Sequence, residues 1–227
     1  MKGKGKKAIA GRIAVTVLLG LCVAGVIYGI CMLAGAIRKE RLIEARGPVT
    51  IVVFGDSIWA QYKDATGIAS ILEEELEQAD YFVVAYGLND YFTEIPRHSE
   101  DPYDTYTYAG ALRTAVTKLR EINPTAKILL LSQTYCQGYA YGKVDSESDY
   151  KDYGGGTGPD YVATMELVAE EMDCIFVNNY KDMGINIHNG PKYLSDATHL
   201  TAYGRRKYAH NLVKYLLEDY ERSVSQK

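Results

Sequence analysis

The chain has 227 residues, 47% of them hydrophobic, and a formal net charge of −4. That length allows one membrane segment and one domain that buries a full core without disulfides. Charge is unevenly spread: residues 1–46 hold nine Lys/Arg and two Asp/Glu (+7), the rest sixteen and twenty-seven (−11), and an acidic domain argues against nucleic acid as a partner.

Residues 1–12 form a basic tail with Lys2, Lys4, Lys6, Lys7 and Arg12. Residues 13–37 then run 25 positions without a charge. As a helix this stretch spans about 37 Å, enough for a hydrocarbon core of about 30 Å with some tilt. A transmembrane anchor is the expectation. A cleaved signal peptide ending near Ala34-Gly35-Ala36 is the alternative, although the apolar run is long for one. Five basic residues precede the segment; four follow it, together with Glu40 and Glu44. The balance favours a cytoplasmic N-terminus and a domain outside the cell. Residues 38–48 are a short linker closed by Gly47-Pro48, and residues 49–227 are the domain.

Ile51 to Phe54 is a short apolar run that fits a strand buried on both faces. It stops at Gly55, and Asp56 and Ser57 follow. Ile68 to Gln78 has a helical pattern. Tyr81 to Tyr86 is the second strand, leading into a turn at Gly87-Leu88-Asn89-Asp90. After a loop at 96–106, Tyr108 to Ile122 is an amphipathic helix stopped by Asn123-Pro124, and Ile128 to Leu131 is the third strand. A polar loop from Thr134 to Pro159 carries Tyr135, Tyr139, Tyr141, Tyr150, Tyr153 and Gly154-Gly155-Gly156. Its tyrosines read as solvated, or alternatively as a surface for sugar rings. Tyr161 to Met172 is a helix, Ile175 to Asn178 the fourth strand, and Ala202 to Glu221 the final helix. This alternation predicts an α/β fold with a parallel sheet covered by helices on both faces.

Ligands in such folds bind past the carboxyl ends of the strands, which makes Ser57 a nucleophile candidate. Asp196 lies three residues before His199, ahead of the last helix. A carboxylate there can accept from imidazole Nδ1 and leave Nε2 facing a nucleophile. His98 and His188 lie in loops without an acidic residue at such a spacing, and His210 is mid-helix. Cys136 follows the third strand and Cys174 precedes the fourth, so opposite ends of neighbouring strands keep them about 15 Å apart and unbridged. Cys22 and Cys31 lie in the apolar segment.

Three motifs come in a telling order: Gly55-Asp56-Ser57, Gly87-Leu88-Asn89-Asp90 and Asp196-Ala197-Thr198-His199. Over residues about 50–220 the chain resembles the SGNH/GDSL hydrolases, a family of serine esterases and lipases. The resemblance implies a flavodoxin-like three-layer α/β/α fold. It also implies Ser57 as nucleophile, His199 as base, Asp196 as its orienting partner, and the Ser57 N–H and Asn89 side chain as oxyanion donors. It implies no metal or cofactor, and an ester substrate, with an O-acetylated carbohydrate or cell-wall glycan as the expected class. The family's second motif, a strand followed by an oxyanion-binding glycine, is missing: between Ser57 and Gly87 the one glycine is Gly67, before a helix. In a strand order 2-1-3-4-5 the missing strand is an edge, so four contiguous strands should remain. A weakened homologue that binds a glycan or protein, and an O-acyltransferase with the same triad, are the alternatives. The Gly154-Gly155-Gly156 run is the first substitute source for the missing donor.

Overall fold

The structure is a computed structural model that describes residues 49–56, 79–138 and 142–225, together with a few helical residues between Tyr28 and Arg41. The chain divides into two units, Met1–Pro48 and Val49–Lys227. In the first, the uncharged 13–37 stretch falls mostly outside the described residues; among those described, no helix is long and apolar enough to cross a membrane. In the second, Ser57 and the 68–78 helix also lie outside them.

Among the described residues, the second unit is built on four parallel strands in the order β1-β2-β3-β4. They are β1 (Ile51–Gly55), β2 (Tyr81–Ala85), β3 (Lys127–Leu131) and β4 (Ile175–Val177). Four contiguous parallel strands are what the sequence predicts. Side chains alternate between the two faces with the period of the pleat. Phe82, Val84, Ile128 and Leu130 point to one face, Tyr81, Val83, Ala85, Leu129 and Leu131 to the other. Both faces are covered, which is why β2 is buried at every position.

The first face packs under helices α2 (Tyr108–Ile122) and α3 (Gly158–Glu171), through Leu112, Val116, Met165 and Val168. Each such side chain removed from water contributes about 1.5–3 kcal/mol before the opposing entropy is counted. Thr107 caps α2 by accepting from the Gly110 N–H, 3.2 Å away. Asn123 ends it, and its amide donates to the Ala79 carbonyl at 3.0 Å, fastening the helix end to the approach to β2. The second face packs under α6 (Ala202–Ser225) through Tyr208, Leu212 and Leu216. At the amino end of the sheet, buried Asp219 of α6 accepts from Tyr81 Oη at 2.7 Å and from Lys127 Nζ at 2.8 Å. That pair fixes α6 against β2 and β3.

The described residues also include three short α-helices, α1 (Leu88–Phe92), α4 (Asn179–Asp182) and α5 (Gly190–Tyr193), and a 3-10 turn at Val144–Ser146. The 87–90 stretch, expected from sequence to be a turn, is therefore the start of α1. The polar loop also departs from its sequence reading. Tyr135 is fully buried and donates to buried Glu147 at 2.5 Å, and Tyr153 packs against the aromatic core beside Tyr91. Tyr150 is solvated as expected, while Tyr139 and Tyr141 fall outside the described residues. Cys136 and Cys174 are free thiols.

Candidate active site

The carboxyl ends of β1, β2 and β3 lie side by side, with Gly55 paired to Ala85 and Val84 to Leu130. Each delivers polar residues to one edge of the sheet. β1 leads to Asp56 and on toward Ser57, the nucleophile expected from sequence. β2 leads through Gly87, whose φ is +129°, a conformation that strains any side chain. A Cβ there would also come within 2.5 Å of the Tyr108 hydroxyl. That hydroxyl donates to the Tyr86 carbonyl at 3.1 Å, so α2 holds the turn from below. The turn opens α1, and Asn89 stands exposed in its first turn. The Asn89 carbonyl accepts from Thr93, and its amide side chain makes no hydrogen bond among the described residues. Burial raises the carboxyl of the neighbouring Asp90 above the usual range, partly offset by backbone N–H groups of Asp90 and Gly87.

The Asp196–His199 segment is a tight loop between α5 and α6. Leu194 and Leu200 form an antiparallel bridge at its base, and the Ser195 N–H donates to the His199 carbonyl at 2.6 Å. Closing so short a loop puts Ala197 at a φ of +68°. Asp196 does two things at once. Its Oδ1 accepts from the backbone N–H of Thr198 at 3.1 Å and of His199 at 2.6 Å. Its Oδ2 lies 2.7 Å from His199 Nδ1. An ionised carboxylate only accepts, so Nδ1 carries the proton and donates. Partial burial pushes the Asp196 carboxyl up, but these N–H donors outweigh it and hold the group below its usual value. The imidazole is the less exposed partner, with 27% of its side chain exposed against 50% for Asp196.

The loop is tied to the sheet. The Ala197 carbonyl accepts from the Gln137 N–H at 2.8 Å, and the Thr198 hydroxyl donates to the Gly138 carbonyl. Both partners lie in the stretch after β3. The pair is therefore tied to the stretch that follows the carboxyl end of β3, and its two residues meet as their spacing predicted. His188 and His210 are exposed and outside this arrangement.

Two of the three N–H groups of the glycine run are taken inside the loop. The N–H groups of Gly154 and Gly156 both donate to Asp152 Oδ1, at 2.6 and 2.9 Å. A Cβ on Gly155 would lie 2.0 Å from the Tyr161 hydroxyl and 2.9 Å from the Ile95 carbonyl. The run is a packing turn against the segment after α1. Among the described residues no cluster of three His, Cys, Asp or Glu is placed to hold a metal.

The profile of the GDSL-like lipase/acylhydrolase family matches residues 65–207. The chain belongs to this family. The matched stretch includes Asn89, Asp196 and His199 and begins beyond Ser57. Among solved structures, a protein from Lactobacillus plantarum superposes with a TM-score of 0.59 at 20% identity, over 75% of this chain and 97% of that one. A possible lipase from Chitinophaga pinensis gives 0.54 at 18% identity, over 79% and 100%. A GDSL-like lipase candidate from Parabacteroides merdae gives 0.54 at 17%, over 74% and 94%. At these identities the likeness is one of fold. Among curated proteins none matches.

A small pocket opens between the strand ends and α6, lined by Asp56, Tyr86, Leu88, Gln133, Thr134 and Tyr208 among others. Gln133 and Thr134 carry no sequence signal of a site, because two polar residues after a strand look like any exit turn.

Proposed function

We propose that this GDSL-family chain is a serine ester hydrolase, anchored in the cell membrane by residues 13–37 with its domain outside the cell. It removes small acyl groups, O-acetyl foremost, from carbohydrate or cell-wall glycan. The observation that carries the reading is the Asp196–His199 contact of 2.7 Å, in a loop tied to the stretch that follows the carboxyl end of β3.

In this mechanism Ser57 Oγ attacks the ester carbonyl while His199 Nε2 takes its proton. Asp196 holds the imidazole in the Nδ1–H tautomer and stabilises the cation that forms. The Ser57 N–H and the Asn89 amide donate to the oxyanion. His199 then protonates the leaving alcohol, and water, deprotonated by the same imidazole, releases the acid and frees Ser57. No metal or cofactor takes part. The five basic residues before the apolar stretch support the orientation.

The missing second-motif glycine favours a second reading, a weakened homologue that binds a glycan or protein without turning it over. The same experiment separates the two. The full-length chain is treated with an active-site serine phosphonate and digested, and the label is located by mass spectrometry. Modification of Ser57, abolished in His199→Ala, is expected. A chain that stays unlabelled at Ser57 belongs to the second reading. An acyltransferase also labels, and differs in that an added sugar acceptor captures acyl groups faster than water.

A further inference from the structure

The loop that carries Asp196 and His199 holds a strained residue between them. Ala197 sits at a φ of +68°. A residue other than glycine persists there only where its surroundings over-determine the backbone. Two hydrogen bonds to one segment do so. The Gln137 N–H donates to the Ala197 carbonyl at 2.8 Å, and the Thr198 hydroxyl donates to the Gly138 carbonyl. Thr198 is 2% exposed, so it can act on the chemistry only through its neighbours.

The segment that receives these bonds is itself fixed from behind. Gln137 is fully buried; its amide donates to Tyr135 Oη at 3.1 Å, and its carbonyl accepts from the Gly142 N–H at 3.4 Å. Tyr135 Oη donates in turn to buried Glu147 at 2.5 Å. Burial and the Glu147 carboxylate push the Tyr135 phenol above its usual range, which keeps it a donor. Cys136 exchanges two bonds with Ser148: its N–H donates to Ser148 Oγ at 3.1 Å, and its carbonyl accepts from the Ser148 N–H at 2.9 Å. Buried polar groups paired this fully make a rigid anchor.

Thr198 joins that anchor to the pair. Its backbone N–H donates to Asp196 Oδ1 at 3.1 Å while its hydroxyl holds Gly138. Asp196 Oδ2 lies 2.7 Å from His199 Nδ1. The Asp196 side chain is half exposed, so water competes for this contact and the backbone must keep the carboxylate in place. Without the hydroxyl, Ala197 is free to relax to a negative φ, and that rotation carries Asp196 away from the imidazole.

We infer that Thr198 is a positioning residue: its hydroxyl pins the strained loop to Gly138 and thereby fixes the Asp196 carboxylate on His199 Nδ1. The inference rests on the esterase reading for what His199 does, and not for what holds it.

The test uses the full-length chain with Thr198→Val, which keeps the shape and drops the hydroxyl, and Thr198→Ser, which keeps the hydroxyl. On p-nitrophenyl acetate, Thr198→Val should lose about ten- to a hundredfold in kcat with KM unchanged, because the pair acts in the transition state. Thr198→Ser should recover most of that loss. A hydroxyl that serves stability alone gives a lower Tm in Thr198→Val with kcat intact, and equal losses in both variants point to shape; either result overturns the proposal. Thr198→Ala stands in should Thr198→Val not fold. The pin is also read without turnover, from the His199 ring nitrogens in a long-range ¹H–¹⁵N spectrum at pH 8, assigned by their loss in His199→Gln. Wild type and Thr198→Ser should show the proton on Nδ1; in Thr198→Val it should be shared between the two nitrogens. That change in a chain that hydrolyses no ester defeats the esterase reading and keeps the pin. A proton still fixed on Nδ1 in Thr198→Val defeats the pin, whatever the rate.

Discussion

Asp196→Asn isolates the orienting role of Asp196 from its structural one. Oδ1 already holds two backbone N–H groups, at 3.1 and 2.6 Å, and both are donors. The Asn side chain must therefore keep its carbonyl oxygen on that side. Its NH2 then faces His199 Nδ1, where Oδ2 stood 2.7 Å away. An NH2 can only donate, so Nδ1 must accept and the imidazole proton moves to Nε2. That is the nitrogen needed to take the Ser57 proton. A base held in the wrong tautomer loses about 10³–10⁴ in rate. Asp196 is half exposed, so water competes for the imidazole, and we set the loss at the lower end, about 10³ in kcat, or about 4 kcal/mol of barrier. The assay is hydrolysis of p-nitrophenyl acetate at pH 8, with Tm measured alongside. Asp196→Asn should lose rate and keep Tm, because both backbone bonds survive. Asp196→Ala should lose both, because the loop also loses its two acceptors. If Asp196→Asn keeps more than about a tenth of wild-type kcat while His199→Ala does not, the orienting role is refuted.

Ser57→Ala and His199→Ala should each remove nearly all turnover and His188→Ala should spare it; equal losses for the two histidines would mean the base is misassigned. Inserting a second-motif strand and glycine between Glu74 and Glu75 should raise kcat by about tenfold or more, the worth of one restored oxyanion donor; an unchanged rate would show that a third donor already exists elsewhere. Burial pushes the Cys136 and Cys174 thiols up to about 11, so at pH 8 only about one in a thousand is thiolate. Iodoacetamide should therefore label both more than tenfold faster in urea than in the native chain, and a Cys136–Cys174 bridge found by mass mapping would contradict the strand placement. Asp90 is raised by burial, so as pH climbs the unfolded chain releases this proton first and the fold loses stability across that window. The Tm of Asp90→Asn relative to wild type should thus be more favourable at pH 7 than at pH 3.5; the opposite trend would mean Asp90 is stabilised as a carboxylate.

The sheet was legible because its strands are apolar runs with hard stops. Gly55 ends β1, Asn123-Pro124 separates α2 from β3, and the order of the three motifs implied which strands adjoin. The Asp196–His199 pair was legible because its contact is local, three residues apart. What could not be read depends on distant partners. Tyr135 looks like a loop residue until Glu147 is folded against it, and Tyr153 until the Tyr91 ring is beside it. The glycine run offered free N–H groups on paper; Asp152, two residues before it, takes two of them. Gly87 read as a turn because Asn-Asp after a glycine is common turn chemistry. The Tyr108 ring beneath it favours this tight exit into α1. The start of α3 was placed three residues late, because Pro159 looked like a break and instead sits in the first helical turn, after the Thr157–Asp160 cap.

Among the described strands β1 has one neighbour, β2, and only Val52 of its five residues is fully buried, whereas β2 is buried throughout. Hydrogen exchange would sort them accordingly. Amides of β2 and β3 open only with the whole domain, while those of β1 open through smaller, local fluctuations. The strand that leads into Ser57 is thus, like β4 at the other edge of the described sheet, one that can part while β2 and β3 stay folded. Heat would then silence the site at a temperature below the one that melts the domain.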